Sequence, residues 1–182
     1  HRGCFGNCSF CSLALHQGDR VVSRSEESIL AEIRRLTEHP EFKGYIDDLG
    51  GPTANMYGMD CHEPCSTGNC IDCPKLDRTH RRLTRLMREA RKVAGVKKVF
   101  VRSGIRYDLA MESPEYVREL AEHHVSGLLK IAPEHISPQV LRLMNKGRQP
   151  LEEFRRLFRG ISRNLRQHLK CYFMVAHPGT TD

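Results

Sequence analysis

Eight cysteines carry most of the chemical information in this 182-residue chain, and seven of them fall in two tight groups. The first group lies in His1-Arg2-Gly3-Cys4-Phe5-Gly6-Asn7-Cys8-Ser9-Phe10-Cys11, where Cys4, Cys8 and Cys11 have C-x3-C-x2-C spacing. Three thiolates this close together on a glycine-bearing loop can wrap one corner of an iron–sulfur cube. Such clusters normally take four cysteines, so three ligands leave one iron open to an outside molecule. Structural zinc, completed by His1 or His16, is the competing reading, since zinc favours four closed ligands. Zinc sites usually present two close pairs rather than a triplet. Disulfides fit poorly, because three is an odd number and residues this close in a loop pair badly.

The second group, Cys61, Cys65, Cys70 and Cys73, has spacing x3, x4, x2. Four thiols this close can close around one metal. Zinc would staple a long loop. An auxiliary iron–sulfur cluster would extend electron transfer or anchor a substrate. An unliganded or redox-labile set is the third reading, and the spacing does not choose. Cys171 lies in an apolar run and reads as a core residue. Clustered thiols in a chain of this size point to metal binding in a reducing compartment, the cytoplasm.

The elements that position these residues alternate. Ser23-Arg24-Ser25-Glu26 reads as a capping box. Ile29, Leu30, Ile33 and Leu36 follow at helical spacing, and the helix stops before Pro40. A short strand over residues 45–49 ends at Gly50-Gly51. A Gly-, Pro- and Cys-rich loop covers about residues 52–76. Leu83, Leu86, Met87, Ala90 and Ala94 mark a second helix. Residues 96–101 form an apolar strand, and Ser113-Pro114-Glu115 starts a third helix. A further strand is expected over 127–132. Ser137-Pro138 opens a short helix that Gly147 closes. Leu151, Phe154, Phe158, Ile161 and Leu165 define a longer helix, and residues 171–176 are the last strand. Strands separated by helices imply parallel pairing with right-handed crossovers. The expected fold is α/β, a β/α barrel or an open relative of one.

Hydrophobic content of 39% and charged content of 28% suit a globular domain. No run approaches the roughly 20 apolar residues of a membrane span. The net charge is +7. Basic residues concentrate in Arg78, Arg81, Arg82, Arg85, Arg88, Arg91 and Lys92, and again in Arg155, Arg156, Arg159, Arg163 and Arg166. Either stretch can attract nucleic acid, although a solvated outer helix face is the ordinary outcome.

The triplet resembles the signature of the radical S-adenosylmethionine (SAM) superfamily. Phe10 fills the aromatic slot, and Leu49-Gly50-Gly51-Pro52, Ile131-Ala132-Pro133-Glu134 and Val175-Ala176-His177-Pro178-Gly179-Thr180 follow in the right order. The strings around Cys4 and Asp48 to Tyr57 are most similar to the YgiQ-type members, whose substrate is unassigned. This resemblance implies a partial, TIM-like barrel of six β/α units. The chain would be a truncated core, 1–182, with strand 1 before His1 and strand 6 beyond Asp182. It implies a [4Fe-4S] cluster on Cys4, Cys8 and Cys11 and SAM on the open iron. Reductive cleavage of SAM gives a 5′-deoxyadenosyl radical, with flavodoxin or ferredoxin as electron donor.

Active sites of β/α barrels gather at the carboxyl ends of the strands, and the candidates obey that rule. Gly50 and Gly51 let a ligand approach their backbone, and by the resemblance this segment receives the SAM amino group. Pro52 stands where the family often has Glu, which removes a side-chain acid there. Glu134 can bond ribose hydroxyls, and Lys130 can meet the SAM carboxylate; a helix-capping or surface role is the plainer reading. Arg148 follows Met144-Asn145-Lys146-Gly147, a segment similar to one in tRNA methylthiotransferases, and is a second carboxylate candidate. Ser103 is a polar contact or a turn residue. His177 is a proton donor, a substrate contact or a plain loop histidine. No catalytic residue and no role for Asp47 or Asp48 follows. Two other functions stay open: an RNA-modifying radical SAM enzyme such as a tRNA methylthiotransferase, and a non-enzymatic, zinc-stapled RNA-binding module.

Overall fold

The computed structural model describes residues 1–61, 65, 70–147 and 149–180. Seven α-helices and four strands are described: α1 (Leu13–Gln17), α2 (Glu26–Thr37), β1 (Tyr45–Ile46), α3 (Arg81–Lys92), β2 (Lys98–Val99), α4 (Tyr107–Ala110), α5 (Pro114–Glu119), β3 (Leu128–Glu134), α6 (Pro138–Leu143), α7 (Leu151–Ser162) and β4 (His168–Phe173). The fold is mixed α/β. β1 pairs with β2 and β3 with β4, both in parallel. Among the described residues, one isolated parallel bridge, Ile105 to Ile131, ties the segment after β2 to β3. Among the described residues, no helix is long and apolar enough to cross a membrane.

The strands β1 and β2 are shorter than the apolar runs that predict them, and a side chain explains why. Pairing of β1 with β2 ends where Phe100 N–H donates to the Ile46 carbonyl. Beyond it, the Asp48 carboxylate accepts from the N–H groups of Arg102 (3.0 Å) and Ser103 (2.6 Å), replacing the ladder. β3 runs two residues past its expected end. Its register with β4 shifts between Ile131 and Glu134, because Pro133 has no N–H to donate. β4 starts three residues earlier than expected. His168 N–H on the Gly127 carbonyl fixes its start. Leu169 and Cys171 then face the core, while Phe173 and Val175 are 53% and 84% exposed.

The expected capping box is also corrected. Ser25, not Ser23, caps α2 and accepts from Ser28 N–H at 3.2 Å. Ser23 instead ties the chain to the cysteine-rich segment, accepting from Gly58 N–H and donating to Asp60. Ser113 caps α5 as its sequence predicts. A π-helical turn, Leu120–His124, extends that helix. The short helices α1 and α4 lack enough periodicity to be expected.

One core joins the elements. Leu129 and Ile131 of β3 are fully buried with Phe154 and Phe158 of α7, Leu86 and Met87 of α3, and Tyr116 and Leu120. Burying such a side chain contributes about 1.5–3 kcal/mol. Because strand side chains alternate, this leaves Lys130, Ala132 and Glu134 on the opposite face of β3. The arginines of α3 point outward into ion pairs. Arg82 meets Asp60, Arg85 meets Glu26, and Arg88 and Arg91 share Glu119, which is 5% exposed.

Candidate cluster and cofactor site

The loop that carries Cys4, Cys8 and Cys11 is pinned from three directions. Arg2 and Val22 exchange two backbone hydrogen bonds, and Cys4 N–H donates to the Gly18 carbonyl at 3.1 Å. Gly3 has φ +83°, and a Cβ there would lie 1.8 Å from the Arg20 carbonyl oxygen, so no other residue fits. From α6, Met144 accepts Ser9 N–H at 3.0 Å and Leu143 accepts the Ser9 hydroxyl at 2.8 Å. The Asn145 amide donates to the Asn7 carbonyl at 2.8 Å. Cys11 N–H closes a turn on the Cys8 carbonyl at 3.0 Å.

The three thiols line one cavity of about 210 Å³, together with Phe10, Thr53, Arg106, Glu134 and Lys146. Arg106 is the nearest fixed cation. Its Nη1 lies 4.0 Å from Cys8 Sγ, and its guanidinium is forked onto the Asp108 carboxylate. Both partners are nearly buried, at 10% and 11% exposure. Burial works against the Arg106 charge, yet Asp108 holds its pKa above the ordinary value. Burial pushes the Cys8 thiol up, and Arg106 and Lys146 pull it part of the way back. Lys146 donates to the Ala132 carbonyl and to Glu134 Oε1 at 3.2 Å. Gly6 makes room for the guanidinium, since a Cβ there would meet Nη1 at 2.6 Å.

Arg106 is held through its backbone by a buried polar relay. The Asn55 amide donates to the Arg106 carbonyl (2.9 Å), and its oxygen accepts Arg106 N–H (2.8 Å). His80 Nδ1 lies 2.8 Å from the Arg78 carbonyl and therefore carries the proton, which leaves Nε2 to accept from Asn55 at 3.1 Å. The ring stacks on Tyr116 with centroids 4.4 Å apart. Burial lowers the His80 pKa from 6.5 to about 4, so the ring is neutral near pH 7, as this relay requires.

The expected site residues divide into groups. Phe10 and Glu134 share the cysteine cavity, and His177 packs edge-on against Phe10 at 6.4 Å. Gly50, Gly51 and Ser103 line a neighbouring cavity with His1 and Asp48. Pro52 and Thr53, the next residues, reach the cysteines. Both ring nitrogens of His1 and Oδ1 of Asp48 are buried without a hydrogen-bond partner. Lys130 lies on the same face of β3 as Glu134, nearer the strand's start. Arg148 lies outside the described residues. Cys61, Cys65 and Cys70 line a third cavity, and burial raises the Cys70 thiol pKa. Among the described residues, the eight cysteines form no disulfide. Among the described residues, no group of three or more His, Cys, Asp or Glu side chains stands close enough together to hold a metal ion as placed.

Sequence reasoning passed over Arg106, Asp108, Lys146 and Asn55. The available signal was positional. Arg106 and Asp108 follow the strand that ends at Arg102-Ser103-Gly104, and Lys146 precedes Arg148.

The whole chain, residues 1–182, matches the radical SAM superfamily. It is 48% identical to a UPF0313 protein of Methanosarcina acetivorans, 47% to one of Methanosarcina mazei and 51% to one of Vibrio parahaemolyticus, each over 100% of this chain. It covers 26%, 31% and 25% of those proteins, so it spans about a quarter to a third of the relatives it matches. With three thiols in one cavity and this likeness over its full length, the chain belongs to the radical SAM superfamily and, within it, to the UPF0313 or YgiQ group.

Proposed function

We propose that this chain is the cofactor-binding part of a radical SAM enzyme, with a [4Fe-4S] cluster on Cys4, Cys8 and Cys11 and SAM beside it. The observation that carries the reading is one cavity holding three free thiols and two fixed cations, Arg106 and Lys146. The donor set fits: thiolates are the ligands such a cluster takes, and the cations offset their negative charge. When bound, the cluster supplies the electron that cleaves SAM to methionine and a 5′-deoxyadenosyl radical, which abstracts hydrogen from the substrate.

The chain's own residues bind and orient. Lys146 is anchored through two acceptors and keeps a third N–H for the SAM carboxylate. Glu134 is held by Lys146 through Oε1, which leaves Oε2 for ribose hydroxyls. Phe10 offers its face to the adenine. Gly50 and Gly51 let the chain turn so that Pro52 and Thr53 reach the cavity. Lys130 and Arg148 are further carboxylate donors, and Ser103 is a polar contact one cavity away. The two parallel ribbons are read as part of an incomplete TIM-like barrel, completed by strands outside this chain. Flavodoxin or ferredoxin is the expected class of electron donor, in the cytoplasm.

An RNA substrate finds less support in α3 than its arginines suggest, because Arg82, Arg85, Arg88 and Arg91 are engaged internally. Arg156 and Arg159 of α7 and Arg163 just after it have no ion-pair partner among the described residues and carry what remains of that argument. The test is anaerobic reconstitution of the full-length protein, reduction in the presence of SAM, and chromatography for 5′-deoxyadenosine. A brown protein with about four irons bound at this site that releases the nucleoside is expected. A colourless protein, or one that leaves SAM intact, overturns the reading.

A further inference from the structure

The second cysteine set does not line the cavity of Cys4, Cys8 and Cys11, yet the fold brings it to the back of the loop that carries them. Cys61, Cys65 and Cys70 line one cavity of about 160 Å³. Phe5 and Asn7, which lie between Cys4 and Cys8 in sequence, line that same cavity, whereas Cys4 and Cys8 line the SAM-side cavity. The loop is thus a partition between two thiol sets. Cys4 and Cys70 even pack on the same small apolar group, built on Phe5, Val21 and Met59. Cys73 is fixed to Cys70 by a turn in which its N–H donates to the Cys70 carbonyl at 3.2 Å. The Cys8–Cys11 pair closes the same way at 3.0 Å.

We propose that Cys61, Cys65, Cys70 and Cys73 form a second metal centre, closed by four thiolates, that braces the cluster loop from behind. Four thiolates complete the shell of a zinc ion or the corners of an iron–sulfur cube and leave no open position, so this centre is structural rather than reactive. Asp19 and Arg20 both line the cavity, so the charges of its wall cancel. The surrounding segment needs such a tie. Between Pro52 and Leu76, the regular structure among the described residues is one 3-10 turn, Ala54–Met56. The thiols draw together when the metal enters, so binding and local ordering are one event.

The test uses the full-length protein, purified anaerobically, with zinc and iron counted by mass spectrometry. Wild type is compared with Cys8→Ala and with the pair Cys65→Ser, Cys70→Ser. The proposal expects two independent metal pools. Cys8→Ala keeps the second pool, about one zinc or about four irons per chain, and the element found names the metal. The paired variant loses that pool and keeps the first. A Cys8→Ala protein emptied of all metal, or a paired variant with wild-type content, overturns the proposal. Absence of the first pool with survival of the second would sink the SAM reading alone. A readout on native protein needs no variant: iodoacetamide labelling of Cys61, Cys65, Cys70 and Cys73 should rise at least about tenfold once a chelator strips the metal. Equal labelling before and after, or a disulfide within the set, overturns it as well.

Discussion

The two cysteine sets solve different problems with different means. Cys4, Cys8 and Cys11 are positioned by distant segments: the Gly18 carbonyl, the end of α6, and a guanidinium fixed by Asp108 and Asn55. Among the described residues, the backbone ties of the second set are local, the Cys73–Cys70 turn and Arg78 donating to the Cys73 carbonyl at 2.8 Å, while Cys70 also packs on the distant Phe5, Val21 and Met59. A reactive centre with an open position needs its surroundings set by the tertiary fold, because charge and donors must stand where the cofactor will be. A closed centre gets its geometry from the metal itself. On the proposed reading, hydrogen bonds from distant segments go with the site that does chemistry, and a bound metal with the site that holds structure.

The largest effect that tests this contrast is Cys8→Ala. Two thiolates cannot hold the cube, so the iron bound at the first set and SAM cleavage should vanish together. Full iron content at the first set would break the assignment. Next comes Asn55→Ala, which leaves the Arg106 N–H and carbonyl and His80 Nε2 without partners in the interior. The expected loss is about 2–4 kcal/mol by urea unfolding, with weakened SAM binding. A stable variant with altered SAM affinity would separate positioning from folding; no change in either would remove the relay from the site.

His80 makes a pH prediction of similar size. Its folded pKa lies below the unfolded value, so the unfolded chain binds the proton first as pH falls. Stability is complete above pH 6.5 and declines toward about pH 4. The decline attributable to His80 is about 3 kcal/mol, and unfolding of His80→Gln should follow a flatter pH curve over that window. Glu119 adds loss at lower pH. Arg88 and Arg91, opposed by burial, hold its carboxyl below the usual range, and protonation removes that stability as pH falls through its folded pKa. Lys146→Met should weaken SAM binding by about tenfold, the equivalent of about 1.4 kcal/mol for one charge-assisted hydrogen bond, by calorimetry on the reconstituted protein. Unchanged affinity would return the carboxylate to Lys130 or Arg148. The smallest effect is Arg159→Gln on the open face of α7, expected within about 0.5 kcal/mol of wild-type stability.

Legibility in the sequence followed locality. The helices α2, α3 and α7 carry apolar residues at helical spacing, and each was placed within a few residues. The strands were legible as apolar runs but not in length. Asp48 takes over backbone donors at one ladder's end and Pro133 breaks another, and neither event leaves a periodic trace. The arginines of α3 read as a cationic face, yet carboxylates from Glu26, Asp60 and Glu119 meet four of them across the fold.

By itself, the sequence determined the candidate ligand atoms and their spacing, because three thiols within eight residues stay together in any fold the loop adopts. It also determined which helix faces are apolar, since that is a matter of period alone. Only the tertiary structure decided what stands beside the thiols. Arg106 and Lys146 are 98 and 138 residues beyond Cys8, and Coulomb interaction depends on distance in space rather than along the chain. The same holds for the partition of the two thiol sets by Phe5 and Asn7, which is a fact of packing that no spacing rule contains.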